Sequence, residues 1–469
     1  MPLHGEIFPD ATRRLSSVRN IVPVKRRVFP LVLVAAIAVP LFAEALPLGN
    51  EGAAVTEFAV RLSPPIEDLV TVYDSGSLEA STEARAVAAA LQARADSTVI
   101  GSASIAMQRI RRGASSVQDA PAYMSIPMGT TVIDADVVGV LMGHEVSAVL
   151  SSTSIVMSTR TASLRGAQAG DVVTLRSAFG SEVDFTIGAI IADEVTGGTE
   201  LLITPEAAQR ISLNRKSRVV MWGFKSRADI DAALADQGLV STSIRIRRSW
   251  DPFDPDSTLG MARSKELLGE FGYRVASSGA VTQEAAWQAA NLPPGRRLLN
   301  NSIRIVARCH LVVEPALRAA LAEAAAAGVG GVFDVGDANL AGGCHNPRFN
   351  RLSQSSMIGF LSRHSWAMAI DINTRGSCQG CAPPDFATDP GGCKAVRIFR
   401  KHGFAWGGNF LTPDGMHFEY VGEPRDVFPY PSRYCPNVVD NLLLDADVEP
   451  SIERTQRATI FADAGLVAE

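Results

Sequence analysis

The sequence predicts an α+β chain with a β-rich first half and a second half in which helices and strands mix. Three observations point there. Short β-branched runs separated by turn signals fill residues 124–249. Beyond residue 256, helix-like and strand-like patches alternate without a regular βαβ rhythm. All six cysteines fall in that second half. At 469 residues the chain exceeds one ordinary core, because domains cluster near ~100–200 residues, so two or three are expected. Apolar residues make up 46% and charged ones 20%, a globular balance and not a disordered one. The formal net charge of −5 gives no pull toward nucleic acid, and no nucleic-acid partner is expected.

The N-terminus carries a targeting signal. Arg13, Arg14, Arg19, Lys25, Arg26 and Arg27 precede an apolar run, Val28 to Ala43, and Ala43-Glu44-Ala45 offers a small-x-small exit. That is the pattern of a secretory signal peptide. The run is short for a membrane span, which needs ~17–25 residues. The long basic flank also suits a retained membrane anchor with its charges kept inside. A buried helix is the third reading. Either of the first two places the rest of the chain outside the cytoplasmic membrane, and membrane contact enters through this segment alone.

The elements follow in order. Residues 1–45 are the signal or anchor. Ser81–Ala95 reads as an Ala-rich helix with Ser81 or Thr82 as cap. Strand signals recur at Thr131–Val137, Val146–Leu150, Val172–Leu175 and Val183–Ile191, with turns at Gly170-Asp171 and Gly197-Gly198. A helix at Ser226–Gln237 and a strand at Ser241–Ile246 end a β-rich extracytoplasmic module, residues 46–250, without a catalytic constellation. His144, its one histidine, reads as structural. Trp250 to Asp256 is a Pro/Asp cluster of linker type. The next domain spans 256–437, with strands at Ile303–Val313 and Gly331–Val335 and helices at Glu314–Ala327 and Lys394–His402. Residues 438–469 read as a solvated tail or a peripheral helix.

The six cysteines, Cys309, Cys344, Cys378, Cys381, Cys393 and Cys435, form an even set in one domain of an exported chain, which reads as disulfides. Cys378-x-x-Cys381 is also half of a structural zinc pattern, but no second pair follows at the usual spacing.

Two clusters carry chemistry. One runs from Ser362 to Asp371; the other comprises Trp406-Gly407-Gly408-Asn409-Phe410 and Asp414-Gly415-Met416-His417-Phe418-Glu419. A catalytic zinc takes three imidazole or carboxylate ligands and keeps one position open for water. His364, Asp371 and His417 supply that set. Asp414, three residues before His417, is placed to take a proton, with Gly415 allowing a sharp turn between them.

These residues resemble the zinc motif of the M15 peptidases, the family of D-alanyl-D-alanine carboxypeptidases and L-alanyl-D-glutamate endopeptidases. Ser362, His364, Ala369 and Asp371 match its first part, and Asp414 with His417 its second. Ala367 stands where glycine is usual, and the turn is expected to survive that small change. The resemblance spans roughly residues 260–437. It implies a Zn2+ peptidase domain with a small antiparallel sheet flanked by helices. It implies the peptidoglycan stem peptide as substrate, Asp414 as general acid–base, and Arg348 in Gly343-Cys344-His345-Asn346-Pro347-Arg348 as substrate clamp. Arg suits that task because its planar fork binds a carboxylate at two points. His345 and His402 read as structural or exposed, Trp406 as pocket wall or core. Glu419 reads either as orienting a ligand or as paired with an arginine. Two rival functions stand beside hydrolysis: a wall-binding or envelope-partner protein that keeps the fold without catalysis, and a β-rich half that carries the main role. The sequence says nothing of oligomeric state.

Overall fold

A computed structural model describes residues 68–74, 77–241, 243–333, 343–350, 359–372, 379–383 and 389–437. The expected N-terminal signal or anchor, the tail at 438–469 and Cys378 lie outside the described residues. No described helix is long and apolar enough to cross a membrane.

Ten strands build the first half: β1 (Val70–Asp74), β2 (Asp96–Arg112), β3 (Ser115–Asp119), β4 (Ile126–Val132), β5 (Ser154–Ser158), β6 (Val172–Arg176), β7 (Glu182–Ile191), β8 (Leu201–Ile203), β9 (Arg218–Trp222) and β10 (Ile244–Arg248). They join in the order β10-β1-β9-β2-β4-β8-β5-β7-β6, with β3 beside β2. The strand β2 pairs with β9 at its start, then with β4 on one side and β6 on the other. The run β2-β4-β8-β5-β7-β6 therefore returns on itself like a barrel and leaves few open edges.

At the other end, β1, β2, β9 and β10 with helices Ala80–Gln92 and Arg227–Asp236 form two interleaved βαβ units. Ala86, Ala89 and Ala90 of one helix and Ile230, Ala233 and Leu234 of the other pack on Val70, Val72, Val219 and Met221. The first helix starts one residue before Ser81, so neither Ser81 nor Thr82 is its cap. The N-cap is Glu79, without a side-chain cap bond; Asp74 at the end of β1 ties this end of the helix down by accepting from the Glu79 N–H at 2.8 Å and the Thr82 hydroxyl at 3.0 Å.

The expected strand at Val146–Leu150 is instead the short helix His144–Ala148. Residues Ala135–Met142, at the end of the Thr131–Val137 run, are also helical. Val138, Leu141, Met142 and Val146 are buried together there, and packing of one helical face overrides β propensity.

The second half has its own apolar cluster, drawn from Leu268 to Cys435. Helices Glu314–Ala326 and Pro390–Lys401 lie against each other beside β15 (Ala369–Asp371), β16 (Phe404–Trp406) and β17 (His417–Tyr420), a three-stranded antiparallel sheet ordered β15-β17-β16. Two small hairpins precede it: β11 (Tyr273–Val275) with β12 (Val281–Gln283), and β13 (Arg297–Leu298) with β14 (Val306–Ala307). The long strand expected at Ile303–Val313 is thus two residues of β14. Of the strand expected at Gly331–Val335, Gly331 and Val332 belong to the 3-10 turn Gly330–Val332, and its last two residues lie outside the described ones. Disulfides join Cys309 to Cys344 and Cys393 to Cys435, and Cys381 is disulfide-bonded too. Such bonds form in oxidising compartments, which suggests an extracytoplasmic protein.

The Trp250–Asp256 stretch is packed, not a solvated tether. Asp254 pairs with Arg247 of β10, and buried Asp256 pairs with Arg400 at 2.6 Å. Nearby, Lys265 on the helix Met261–Leu268 bonds Glu200 at 2.9 Å and Glu270 at 3.1 Å, and Arg165 bonds both acids. The Ser125 and Tyr273 backbones exchange two hydrogen bonds of 2.8 Å. Removing one member of a buried set like this strands the others, typically at a cost of ~3–5 kcal/mol.

Candidate metal centre

One small sheet closes the sequence gap between His364, Asp371 and His417. Asp371 on β15 lies directly opposite His417 on β17, so both side chains leave the same face. His364 comes from the 3-10 turn Arg363–Trp366 just before β15. The Ser362 hydroxyl caps that turn, accepting from the His364 N–H at 3.3 Å. Ala367 ends it in the left-handed region, φ 52° and ψ 30°. Its N–H donates to the His364 carbonyl, and its own carbonyl accepts from the His310 N–H at 3.0 Å. The alanine thus adopts the conformation a glycine would adopt freely, and the turn forms.

The three side chains converge on one atom. Asp371 Oδ1 lies 3.2 Å from His364 Nε2 and 3.1 Å from His417 Nδ1. One ligand atom from each residue falls within 4.8 Å of the others. His364 Nδ1 faces the Cys344 carbonyl at 3.1 Å. A carbonyl only accepts, so Nδ1 carries the proton and the Nε2 lone pair faces the carboxylate. Two acceptors that close repel unless a proton or a cation lies between them. Burial alone would raise the Asp371 carboxyl; with a proton on each facing nitrogen, the His364 and His417 imidazoles instead hold it well below the usual carboxylate range, so the site favours a positive charge between these groups. Ligands of a tetrahedral zinc, each ~2.0–2.2 Å from the metal, lie about 3.3 Å apart. Both the donor set and the spacing around Oδ1 fit such an ion.

Glu419, two positions after His417 on β17, shares its face and stands opposite the small Ala369. It pairs with buried Arg363 at 3.2 Å, and its other oxygen lies 3.8 Å from His417 Nε2. The arginine pairing expected of Glu419 is thus present, while its approach to His417 is longer than a hydrogen bond. Sequence reasoning missed Arg363, although it stands inside the motif between Ser362 and His364. It also missed the Cys344 carbonyl, a backbone group with no side-chain signal.

Asp414 is buried at the head of a turn closed by the His417 N–H bonding the Asp414 carbonyl at 3.1 Å. Gly415 is not in the left-handed region, so the turn does not rest on its freedom. The demand for glycine falls upstream. A Cβ at Gly407 would lie 2.6 Å from the Asp414 carbonyl oxygen, and one at Gly408 would lie 2.2–2.5 Å from the Trp406 indole. The Trp406 Nε1–H donates to the Gly415 carbonyl at 2.8 Å, clamping the turn from behind. Asp256 orients this loop by accepting from the Trp406 N–H at 3.1 Å and the Asn409 amide at 2.7 Å.

Arg348 is tied by its backbone to the ligand turn: its carbonyl accepts from the Ser362 N–H at 2.9 Å and the Ser365 hydroxyl at 3.2 Å. Among the described residues no carboxylate pairs with its half-buried guanidinium. His345 bonds Gln283 at 2.8 Å, and burial with Arg308 and His364 nearby lowers it to about 4. His402 pairs with Glu323, Trp406 is fully buried, and His144 is exposed.

Residues 358–420, the stretch holding both motifs, match a protein-family model described as D-alanyl-D-alanine carboxypeptidase. The match supports an M15-type peptidase over that stretch. No curated protein matches the chain. Among solved structures, the extracellular domain of the noncanonic ABC-type transporter YknZ from Gram-positive bacteria aligns at 12% identity and a TM-score of 0.24, covering 38% of this chain and 99% of that one.

Proposed function

We propose that this chain is an exported zinc peptidase that hydrolyses a peptide bond in the peptidoglycan stem peptide, as a D-Ala-D-Ala carboxypeptidase or an L-Ala-D-Glu endopeptidase. Residues 256–437 form the peptidase in this reading, and residues 46–250 form a module docked on it. One observation carries the proposal: two imidazole nitrogens meet a single carboxylate oxygen inside the stretch that matches the peptidase family.

His364, Asp371 and His417 would hold the metal. A zinc ion there would polarise the scissile carbonyl and make bound water acidic enough to attack near neutral pH. The protein's own groups do the rest. Asp414 takes a proton from the attacking water and returns it to the leaving amine. Arg348 holds a substrate carboxylate or offsets oxyanion charge. The Cys344 carbonyl fixes which His364 nitrogen is left to bind, and Glu419 stands behind His417.

The test uses the full exported chain, loaded with zinc, on purified peptidoglycan, with products read by mass. Release of D-alanine or of cut stem peptides is expected, and the fragment masses identify the bond. His417→Ala should lose zinc and activity together. Asp414→Asn should keep near-stoichiometric zinc while hydrolysis falls ~10²–10⁴-fold. Binding to peptidoglycan without any fragment, from zinc-loaded protein, would replace the proposal with a wall-binding role.

A further inference from the structure

Beside the segment Gly408 to Leu411 lies a cavity of about 280 Å³. Its walls come from Ser241 ahead of β10, from Ile244, Arg245 and Ile246 of β10, from Gly408 to Leu411 with Pro413, and from Arg433 and Tyr434. Two guanidinium groups line it from different segments, and no acidic residue does. Arg245 donates to the Asn409 carbonyl. Arg433 is exposed and stacks on the Tyr434 ring, 4.9 Å from its centroid. Neither arginine forms an ion pair with a carboxylate among the described residues. Asp254, an acid on the same side of β10, is bonded to Arg247. Two arginines line one hollow whose wall holds no acid, although the charge of nearby Asp254 also acts on Arg245, and such a pair can receive an anion, because the guanidinium fork matches a carboxylate in two-point fashion.

The cavity adjoins the centre. Phe410 lines it, and the Phe410 ring centroid lies 5.9 Å from that of His417. An extended peptide advances ~3.3–3.6 Å per residue, so a side chain within a few residues of the bond being cut reaches from one to the other. The volume sits below the ~300–1,000 Å³ of whole-ligand pockets and suits one acidic side chain with its neighbours.

We infer that this cavity is a subsite for a carboxylate carried by the peptide being cut, built jointly by Arg245 of the β-rich half and Arg433 of the other. The inference rests on the proposed peptidase reading for its substrate. It gives the first half of the chain a part in choosing which peptide is held, and occupancy bears on Asn409 and so on the loop that leads to Asp414.

The experiment is an equilibrium binding titration on the full zinc-loaded chain carrying Asp414→Asn, so that turnover does not consume the probe. The probes are an L-alanyl-D-glutamyl peptide with its free glutamyl carboxylate, the same peptide with that carboxylate amidated, and inorganic phosphate as competitor. The acid should bind about 10-fold or more tightly than the amide, the worth of one or two charge-assisted hydrogen bonds. Arg433→Gln, at an exposed residue, should erase the preference without changing the melting temperature, and Arg433→Lys should restore part of it. Arg245→Gln should also erase it. Equal affinity for acid and amide overturns the inference. So do absence of binding, a preference that survives Arg433→Gln, and phosphate that competes as well as the peptide acid. Hydrolysis of the same acidic peptide by the unmodified chain is read separately. A preference without hydrolysis keeps the subsite and sinks the peptidase reading; hydrolysis without a preference does the reverse.

Discussion

Gly407→Ala isolates the placement of the proposed base from its chemistry. Gly407 is not in the left-handed region, so an alanine suits its backbone and only space opposes it. The added Cβ would stand 2.6 Å from the Asp414 carbonyl oxygen, 3.0 Å from His417 Cβ and 3.2 Å from Phe410 Cε2. Ordinary contact begins at 3.4 Å, so the Asp414 backbone must retreat by 3.4 − 2.6 = 0.8 Å, while His417 must give 0.4 Å. The Trp406 indole bond to Gly415 resists that retreat. A displacement near 1 Å of a positioned catalytic group costs about 10²-fold in rate. Overpacking should also remove about 1–3 kcal/mol of stability. The variant should therefore fold and keep bound zinc, with affinity only modestly weakened, and lose about 10²-fold in kcat with little change in KM. The assay is the initial rate of peptide release from purified peptidoglycan, with zinc content by atomic absorption and stability by urea titration. A variant within a factor of two of the parent in kcat, at unchanged stability, would show that Gly407 does not set the position of Asp414.

Ala367→Gly should be close to neutral by urea denaturation: relief of left-handed strain, ~1–2 kcal/mol, is offset by a lost buried methyl, ~0.8, and a freer unfolded chain, ~0.4–1. Ala367→Val adds a β-branched side chain in that same buried conformation and should cost more than ~2 kcal/mol. His345 is held near 4 in the fold, so between pH 6.5 and 4 the unfolded chain takes up a proton that the folded one refuses. Stability should fall as pH drops through that window, by up to about 3 kcal/mol, and urea midpoints at pH 7 and pH 4.5 should show a smaller drop for His345→Gln. Replacing Cys309 and Cys344 together by serine opens a loop with a separation of 35 residues and should remove about 4 kcal/mol. It should also weaken zinc binding, because Cys344 supplies the carbonyl behind His364.

The candidate site was more legible in the sequence than the surrounding fold, for a physical reason. His364 and Asp371 are joined by one turn and one strand, and Asp414 and His417 by one turn, so short spacing constrains each pair. Trp406-Gly407-Gly408 is readable because the two glycines answer to one tryptophan and one carbonyl nearby in the chain. Local propensity failed where distant groups decide. Val146 joins a helix because Val138, Leu141 and Leu202 cover one face of it. The Asp/Pro stretch before residue 256 reads as a turn, since nothing adjacent announces that Arg247 and Arg400 will bury its aspartates.

Those aspartates also account for how the two halves bear on the centre. Asp256 takes two hydrogen bonds from Arg400 and one each from the Trp406 N–H and the Asn409 amide, so its charge is met inside the protein. A buried carboxylate so fully bonded resists displacement, because moving any one donor leaves a charge uncompensated. Trp406 is thereby fixed, its indole holds Gly415, and the turn from Asp414 to His417 has little freedom. Two residues earlier, Asp254 binds Arg247, whose neighbour on the same face of β10, Arg245, donates to Asn409 in that loop. The segment that reads as a linker thus bonds the edge strand of the first half and the proposed catalytic loop of the second at adjacent points. Geometry at the candidate metal ligands and packing between the halves thus rest on the same few buried bonds.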